Sequence, residues 1–307
     1  MISVVIPFYN EKESVGELHE RLLCVLQGLG KPFEIIFVDD GSTDGTFAEI
    51  QKLKPVRGFR FKKNRGQTAA FGQGIRAANG DIVVTSDGDL ENQPEDIPRL
   101  IAKLDEGYDI AAGWRKSRWS DQPFTRRIPS NIASRLISAA TGVWLHDHGC
   151  NLRAYQKKVF DGVEFTGEMH RMLAAYLGLR GASVGEVPVS YVARKYGVSK
   201  YGISRIFRVI LDVIALYFYR EYAGRPMHFF GYFGFISFTC ALFSFLLMVY
   251  LRLVQGIHFI RTPLPVLIAV LTVIGVQFVL MGLLAELVRK GRGPAGEAES
   301  VESIEHA

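Results

Sequence analysis

The chain has 307 residues, 48% of them hydrophobic, and a formal charge of +5 at neutral pH. Its apolar excess lies after residue 227, which argues against two ordinary soluble domains and for one globular part followed by a membrane part. No dense Lys/Arg stripe is interleaved with stacking aromatics, so the basic balance points to a membrane surface or a phosphate-rich ligand and away from nucleic acid.

Ile2 to Ile6 follows the first residue directly, with no basic segment ahead of an apolar one. A cleavable signal peptide is therefore not expected, and the N-terminal domain is expected to stay in the cytosol. Cys24, Cys150 and Cys240 are odd in number and far apart, which favours a reducing compartment and excludes a zinc spacing.

Strand and helix patterns then alternate. Residues 3–7, 34–38, 58–61 and 81–86 read as extended, and residues 14–26, 46–53 and 68–78 as helical. Apolar strands without polar alternation, separated by helices, predict a mostly parallel α/β sheet covered on both faces. Ligands of such sheets bind beyond the carboxyl ends of the strands, and polar clusters fall there. Pro7-Phe8-Tyr9-Asn10-Glu11 follows the first strand, Asp39-Asp40-Gly41-Ser42-Thr43-Asp44-Gly45-Thr46 the second, and Asp87-Gly88-Asp89-Leu90-Glu91 the fourth. Ser42 and Asp44 also suit turn formation and helix capping, whereas Asp39, ending a buried strand, needs a partner. Three carboxylates within five residues repel unless a cation sits among them, and oxygen-only ligands suit Mg2+ or Mn2+.

Basic residues follow: Arg115, Lys116, Arg118, then Arg126 and Arg127 with Ser130, Arg153, and finally Arg194, Lys195 and Lys200. Arginine pairs bidentately with phosphate oxygens, so this supply suits a diphosphate and an acceptor phosphate, with about half of these residues expected as ordinary surface charges.

Residues 203–218 carry apolar side chains at helical spacing with Arg205, Arg208 and Asp212 between them, an amphipathic helix that suits either the domain surface or the lipid interface. Two uncharged runs, 229–251 and 263–285, are each long enough to cross a bilayer. Arg220 and Arg225 before them and Arg289, Lys290 and Arg292 after them outnumber Arg252 and Arg261 in the loop, placing both flanks inside. The expected organisation is a cytosolic domain over 1–200, a juxtamembrane helix over 201–227, a two-helix hairpin over 228–288 and a disordered tail over 289–307. Gly231, Gly234, Gly275 and Gly282 offer close-packing positions for a homo-oligomer.

Taken together, the three strand-end clusters, Asn64-Arg65-Gly66, Pro94-Glu95, the run His148 to Tyr155 and Ser199-Lys200-Tyr201 resemble the family 2 glycosyltransferases of the polyprenyl-phosphate sugar transferase type. That group includes dolichyl-phosphate mannosyltransferase and undecaprenyl-phosphate glucosyl- and aminoarabinosyltransferases, and the His148 to Tyr155 run is most similar to the last branch. The resemblance covers residues 1 to 225 and implies a GT-A fold, a nucleotide diphosphate-sugar donor (UDP- or GDP-), a polyprenyl phosphate acceptor, inversion at the anomeric carbon and a divalent metal. It implies nucleotide-sugar contacts for Pro7, Tyr9, Glu11, Asp39, Asp40, Asp87, Arg115 and Lys200. Asp89, with Asp87 and Glu91 as further candidates, would hold the metal; Arg126 or Arg127 with Ser130 would take the lipid phosphate, and Arg194 would help close over the phosphates. Glu91 departs from the glutamine usual in the family. Glu168, His170 and Arg171 are expected to line the acceptor side.

Two other enzymes fit less well. A processive polysaccharide synthase carries Gln-x-x-Arg-Trp before its membrane helices, whereas Arg118-Trp119 lies far upstream with Arg115 in place of the glutamine. A phosphatase with an Asp-x-Asp nucleophile would carry that motif after its first strand. The non-enzyme alternative is a membrane-tethered nucleotide-sugar binder without turnover.

Overall fold

The computed structural model describes residues 1–118, 128–165, 167, 169–193, 217–218, 222, 225–291 and 302–305. The chain divides into two compact units, one of residues 1–216 with 299–307 and one of residues 217–298.

In the first unit the expected alternation is present: β1 (Ile2–Phe8), α1 (Lys12–Gly28), β2 (Phe33–Asp39), α2 (Thr46–Ile50), β3 (Arg57–Arg60), α3 (Gln67–Ala77) and β4 (Ile82–Thr85). Next come α4 (Ile97–Asp105), β5 (Ile110–Trp114), α5 (Ile128–Thr141), β6 (Arg153–Gln156), α6 (Leu173–Leu179) and β7 (Val184–Pro188). The sheet order is β7-β5-β6-β4-β1-β2-β3-β8, where β8 is Glu302–Glu305. β1 runs parallel to both β2 and β4, β2 to β3, and β5 to β7. β6 is inserted antiparallel between β4 and β5.

Alternate residues of β1 serve two cores, as a sheet covered on both faces requires. Val4, Ile6 and Phe8 pack with Leu18 and Leu22 of α1 and Leu100 of α4, while Val5 packs with Phe71 and Ile75 of α3 and Leu177 of α6. Each fully buried side chain of this kind contributes roughly 1.5–3 kcal/mol.

Pro7 sits inside β1 without disrupting the ladder. Asp40 N donates to Phe8 O, whereas Ser86 N donates to Val5 O on the opposite edge, so the odd-numbered residues of β1 face β4. β4 ends at Thr85, opposite Val5, so no ladder partner lies beside the nitrogen that Pro7 cannot protonate.

The tail expected to be disordered contributes β8, antiparallel to β3 with Gly58 opposite Ile304. Without it β3 would be a sheet edge with unpaired backbone groups, which a short added strand satisfies.

In the second unit, α7 (Pro226–Gln255) and α8 (Leu264–Gly291) form a helical hairpin through the turn Phe259–Arg261. Stretches of both are long and apolar enough to cross a membrane, with mean hydropathies of 2.1 and 2.6. Only 17% and 11% of those windows are buried, so neither is the enclosed core helix of a soluble protein. Small residues bring the two backbones together. A Cβ on Gly234 would lie 3.3 Å from the Gly275 carbonyl, one on Gly282 would meet Met227 at 2.7 Å, and Ser237 Oγ donates to Leu271 O at 2.7 Å. Gly234, Gly275 and Gly282 are thus used within the hairpin instead of being free for another copy; Gly231 faces open space. Most of the expected juxtamembrane helix lies outside the described residues.

Candidate active site

The carboxyl ends of β4, β1 and β2 lie side by side, which brings three loops far apart in sequence into one place. The β1 and β2 loops are bonded to each other. Asn10 takes a left-handed backbone (φ 54°), its N–H donates to Ser42 Oγ at 2.9 Å, and its Oδ1 accepts from Thr43 N at 2.9 Å. Glu11 N donates to Thr46 Oγ1, and Lys12 N to Asp44 Oδ2. Asp44 also accepts from Thr46 N at 2.9 Å, the turn-forming role that its residue type anticipates, while Gly45 holds the cap position of α2. Tyr9 and Glu11 stand at this rim, partly exposed.

Asp39 is fully buried. Its Oδ1 accepts from Ser42 N at 3.1 Å, while Arg60 Nε lies 3.3 Å from Oδ2 without hydrogen-bond alignment. Burial raises the Asp39 carboxyl above its usual range, partly offset by the Ser42 bonds and the Arg60 charge. A buried carboxylate oxygen without a hydrogen bond fits a site that accepts one from a ligand N–H or O–H. Asp40 is different: its two oxygens accept from Arg65 N and Gly66 N at 2.7 and 2.9 Å, so it anchors the Asn64–Gly66 loop.

Asp87 is held by three amides. Gln67 Nε2 and Asn151 Nδ2 donate to Oδ1 at 2.6 and 2.8 Å, and Asn92 Nδ2 to Oδ2 at 3.4 Å. Its carboxyl sits deep among protein atoms, although the residue is partly open at the surface. Burial first and the neighbouring Asp89 charge second push it above the usual carboxylate range. Gly88 allows the turn between them, because a Cβ there would lie 2.6 Å from the Phe8 ring. Asp89 is buried and accepts from Glu91 N at 3.1 Å. Glu91 O in turn accepts from Val192 N, and Asn92 bridges Tyr191, so the chain leaving β7 braces this turn. Ser190 N donates to Asp96 Oδ2 in the same brace.

Among the described residues no group of three His, Cys, Asp or Glu side chains converges as a closed metal cage. The donor set instead fits a cation completed by a ligand's own oxygens. Asp87 has both oxygens engaged, and the repulsion between it and Asp89 is the kind a cation relieves.

Beside the acidic turn lies a cationic cleft of about 380 Å³ lined by residues that include Arg115, Lys116, Arg118, Ser130, Arg135 and Asp147. Arg115 is buried and paired to Asp147. Burial works against both charges, yet the pairing dominates: Arg115 is raised above its ordinary value and Asp147 lowered below its own. Sequence reasoning missed Asp147, Gln67 and Asn92, although Gln67 directly follows the Asn64-Arg65-Gly66 motif and Asn151 falls within a quoted run.

Arg153 does not face a phosphate. It is 1% exposed and donates to the backbone carbonyls of His148, His170 and Arg171. His170 is buried, with Nδ1 2.8 Å from Thr68 Oγ1, which ties the segment before α6 to the start of α3. Arg126, Arg127, Glu168, Arg194 and Lys200 lie outside the described residues.

The fold is shared with glucosyl-3-phosphoglycerate synthase of Mycobacterium tuberculosis, solved with Mn2+, UDP and phosphoglyceric acid: TM-score 0.57, 20% identity, covering 72% of this chain and 78% of that one. This is a GT-A glycosyltransferase architecture. The model of glycosyl transferase family 2 matches residues 3–163, and the chain belongs to that family. It is 39% identical to dodecaprenyl-phosphate galacturonate synthase of Rhizobium johnstonii, covering 94% of this chain and 88% of that protein. It is 36% identical to undecaprenyl-phosphate 4-deoxy-4-formamido-L-arabinose transferase of an Enterobacter species, again over 94% and 88%.

Proposed function

We propose that this chain transfers a sugar, with inversion, from a nucleoside diphosphate to the phosphate of a polyprenyl lipid. The observation that carries the reading is the junction of the acidic β1, β2 and β4 loops with the cationic cleft, where Arg115 and Asp87 feel each other's charge. Relatives named for polyprenyl-phosphate sugar transfer match along nearly the whole chain and support it.

In this reading the nucleoside lies against Pro7, Tyr9, Glu11 and Asp39, with Asp40 holding the loop beneath it. Asp87 orients the donor through its amide-fixed carboxylate, and Asp89 would hold Mg2+ or Mn2+, which would supply positive charge to offset that of the leaving diphosphate. The acceptor phosphate is already ionised at neutral pH, so its oxygen attacks the anomeric carbon without a general base. What the protein supplies is alignment and fixed positive charge. Ser130 with Arg126 or Arg127 receives the lipid phosphate, while Arg194 and Lys200 close over the donor phosphates. The two helices of the hairpin span the cytoplasmic (inner) membrane with the catalytic unit on the cytosolic side.

A panel of UDP- and GDP-sugars with a short polyprenyl phosphate, with and without EDTA, tests this directly. Metal-dependent formation of a polyprenyl-phosphate monosaccharide is the expected product. Transfer that survives full chelation contradicts the metal assignment, and binding without turnover of any acceptor would make the chain a scaffold.

A further inference from the structure

Thr68, at the start of α3, is 3% exposed, and its hydroxyl makes two bonds to a residue 102 positions away. Oγ1 lies 2.8 Å from His170 Nδ1 and accepts from His170 N at 3.3 Å. A threonine hydroxyl has one proton, so with the backbone N–H donating to it that proton goes to Nδ1. The ring is then neutral and keeps its own proton on Nε2. Both residues are buried, so a group that lost its partner here would stay unpaired.

His170 is itself held from the far side. Arg153 donates to the carbonyls of His170 and Arg171, and Met172 packs with Ile137 of α5 and Ala175 of α6. α3 lies flush on this segment: a Cβ on Gly72, one turn beyond Thr68, would meet Phe165 at 2.8 Å. On the other side of Thr68 the support is thin. Asp40 fastens the loop that precedes α3, but the helix starts at Gly66 (φ 90°) and carries no side-chain cap bond. Yet Gln67, next to Thr68, must hold its amide 2.6 Å from Asp87 Oδ1, a bond that tolerates little rotation of the turn.

We propose that Thr68 and His170 are positioning residues for the donor: their bond clamps the first turn of α3, so that Gln67 keeps the Asp87 carboxylate aimed at the nucleotide. Support runs inward from the rigid segment of residues 169–172 to Thr68, then to Gln67, then to Asp87. Groups that orient a ligand need this kind of backing, because a small shift of the turn reaches the carboxylate undiminished. The proposal rests on the reading of Asp87 as a donor contact.

Calorimetric titration of the solubilised full chain with UDP, and with GDP, each with Mn2+, tests the clamp without any acceptor. Thr68→Val keeps the shape and removes the hydroxyl, and it should weaken binding of whichever nucleotide the parent takes about tenfold. Thr68→Ser keeps the hydroxyl and should stay within about twofold of the parent. In a Gln67→Met background Thr68→Val should add nothing further, because the clamp acts through Gln67. Parent-like affinity in Thr68→Val with only a lower melting temperature would overturn the clamp. Equal weakening in Thr68→Ser would do the same, as would losses that multiply to about a hundredfold in the double variant. Should Thr68→Val not fold, His170→Leu and His170→Asn make the comparison from the other side, since only asparagine keeps an acceptor near the Nδ1 position. A gap of about tenfold in favour of asparagine supports the clamp, and equal affinities contradict it. A parent that binds neither nucleotide overturns the donor reading and the clamp with it, whereas a parent that binds, with any of the contrary variant results, overturns the clamp alone.

Discussion

Arg115 donates from Nε and Nη2 to the two carboxylate oxygens of Asp147, at 2.8 and 3.1 Å, with their side chains 2% and 13% exposed. A buried pair of this geometry is costly to break from one side, because the remaining charge has no water to return to. Asp147→Asn should therefore destabilise the protein by about 3–5 kcal/mol. Replacing both partners together with Met and Leu should cost less than Asp147→Asn alone. Thermal unfolding of the solubilised chain decides this, and a single variant melting like the parent would show that the pair contributes nothing.

That pair also marks where sequence reading stops. β1 to β4 and α1 to α3 were legible because buried parallel strands are apolar throughout and the intervening helices carry a 3.6-residue pattern. The donor loops were legible because Asp and Gly gather at strand ends. Long-range satisfaction of polar groups has no periodic signal: Asp147 lies 32 residues from Arg115, and Asn151 lies 64 residues from Asp87. Residue type also misled. Arg153 suits a phosphate as well as any arginine, yet the insertion of β6 between β4 and β5 buries it and turns its donors to carbonyls. Asp40 likewise fastens a loop instead of standing open to ligand.

Asp89 and Glu91 should separate on mutation. Glu91 donates its backbone N–H to Asp89 Oδ1 and its carbonyl accepts from Val192 N, two bonds that glutamine keeps. Glu91→Gln should keep both activity and metal dependence, whereas Asp89→Asn should lower kcat by about 100-fold or more, the scale seen when charge stabilisation at a leaving group is removed. Metal titrations of initial rate check this, and a changed metal requirement in Glu91→Gln would make Glu91 a ligand.

Asn151 and Gln67 both donate to Asp87 Oδ1. Asn151→Leu removes one donor and leaves a carboxylate already disfavoured by burial with less support. A loss of about 1.4 kcal/mol in donor binding, tenfold in KM for the nucleotide sugar, is expected with the acceptor KM unchanged. Steady-state kinetics with each substrate varied resolves the two, and an equal rise in both constants would assign Asn151 a general structural role.

His148 gives the fold an acid sensitivity of predictable sign. It is 2% exposed, its Nε2 lies 2.9 Å from Ser138 Oγ, and its Nδ1 is buried without a hydrogen bond. Burial first and the Arg153 charge second lower its pKa from 6.5 to about 4, against a weaker upward pull from Asp147. Between those values the unfolded chain holds a proton that the folded chain refuses, so stability falls as pH drops from about 6.5 toward about 4. A gap of that size corresponds to at most about 3 kcal/mol, complete once pH is below the folded value. His148→Gln keeps a donor for Ser138 but cannot titrate. Its melting temperature should therefore change less than the parent's between about pH 7 and pH 4.5, the linkage window just derived. Parallel pH profiles for the two proteins would place the acid sensitivity elsewhere.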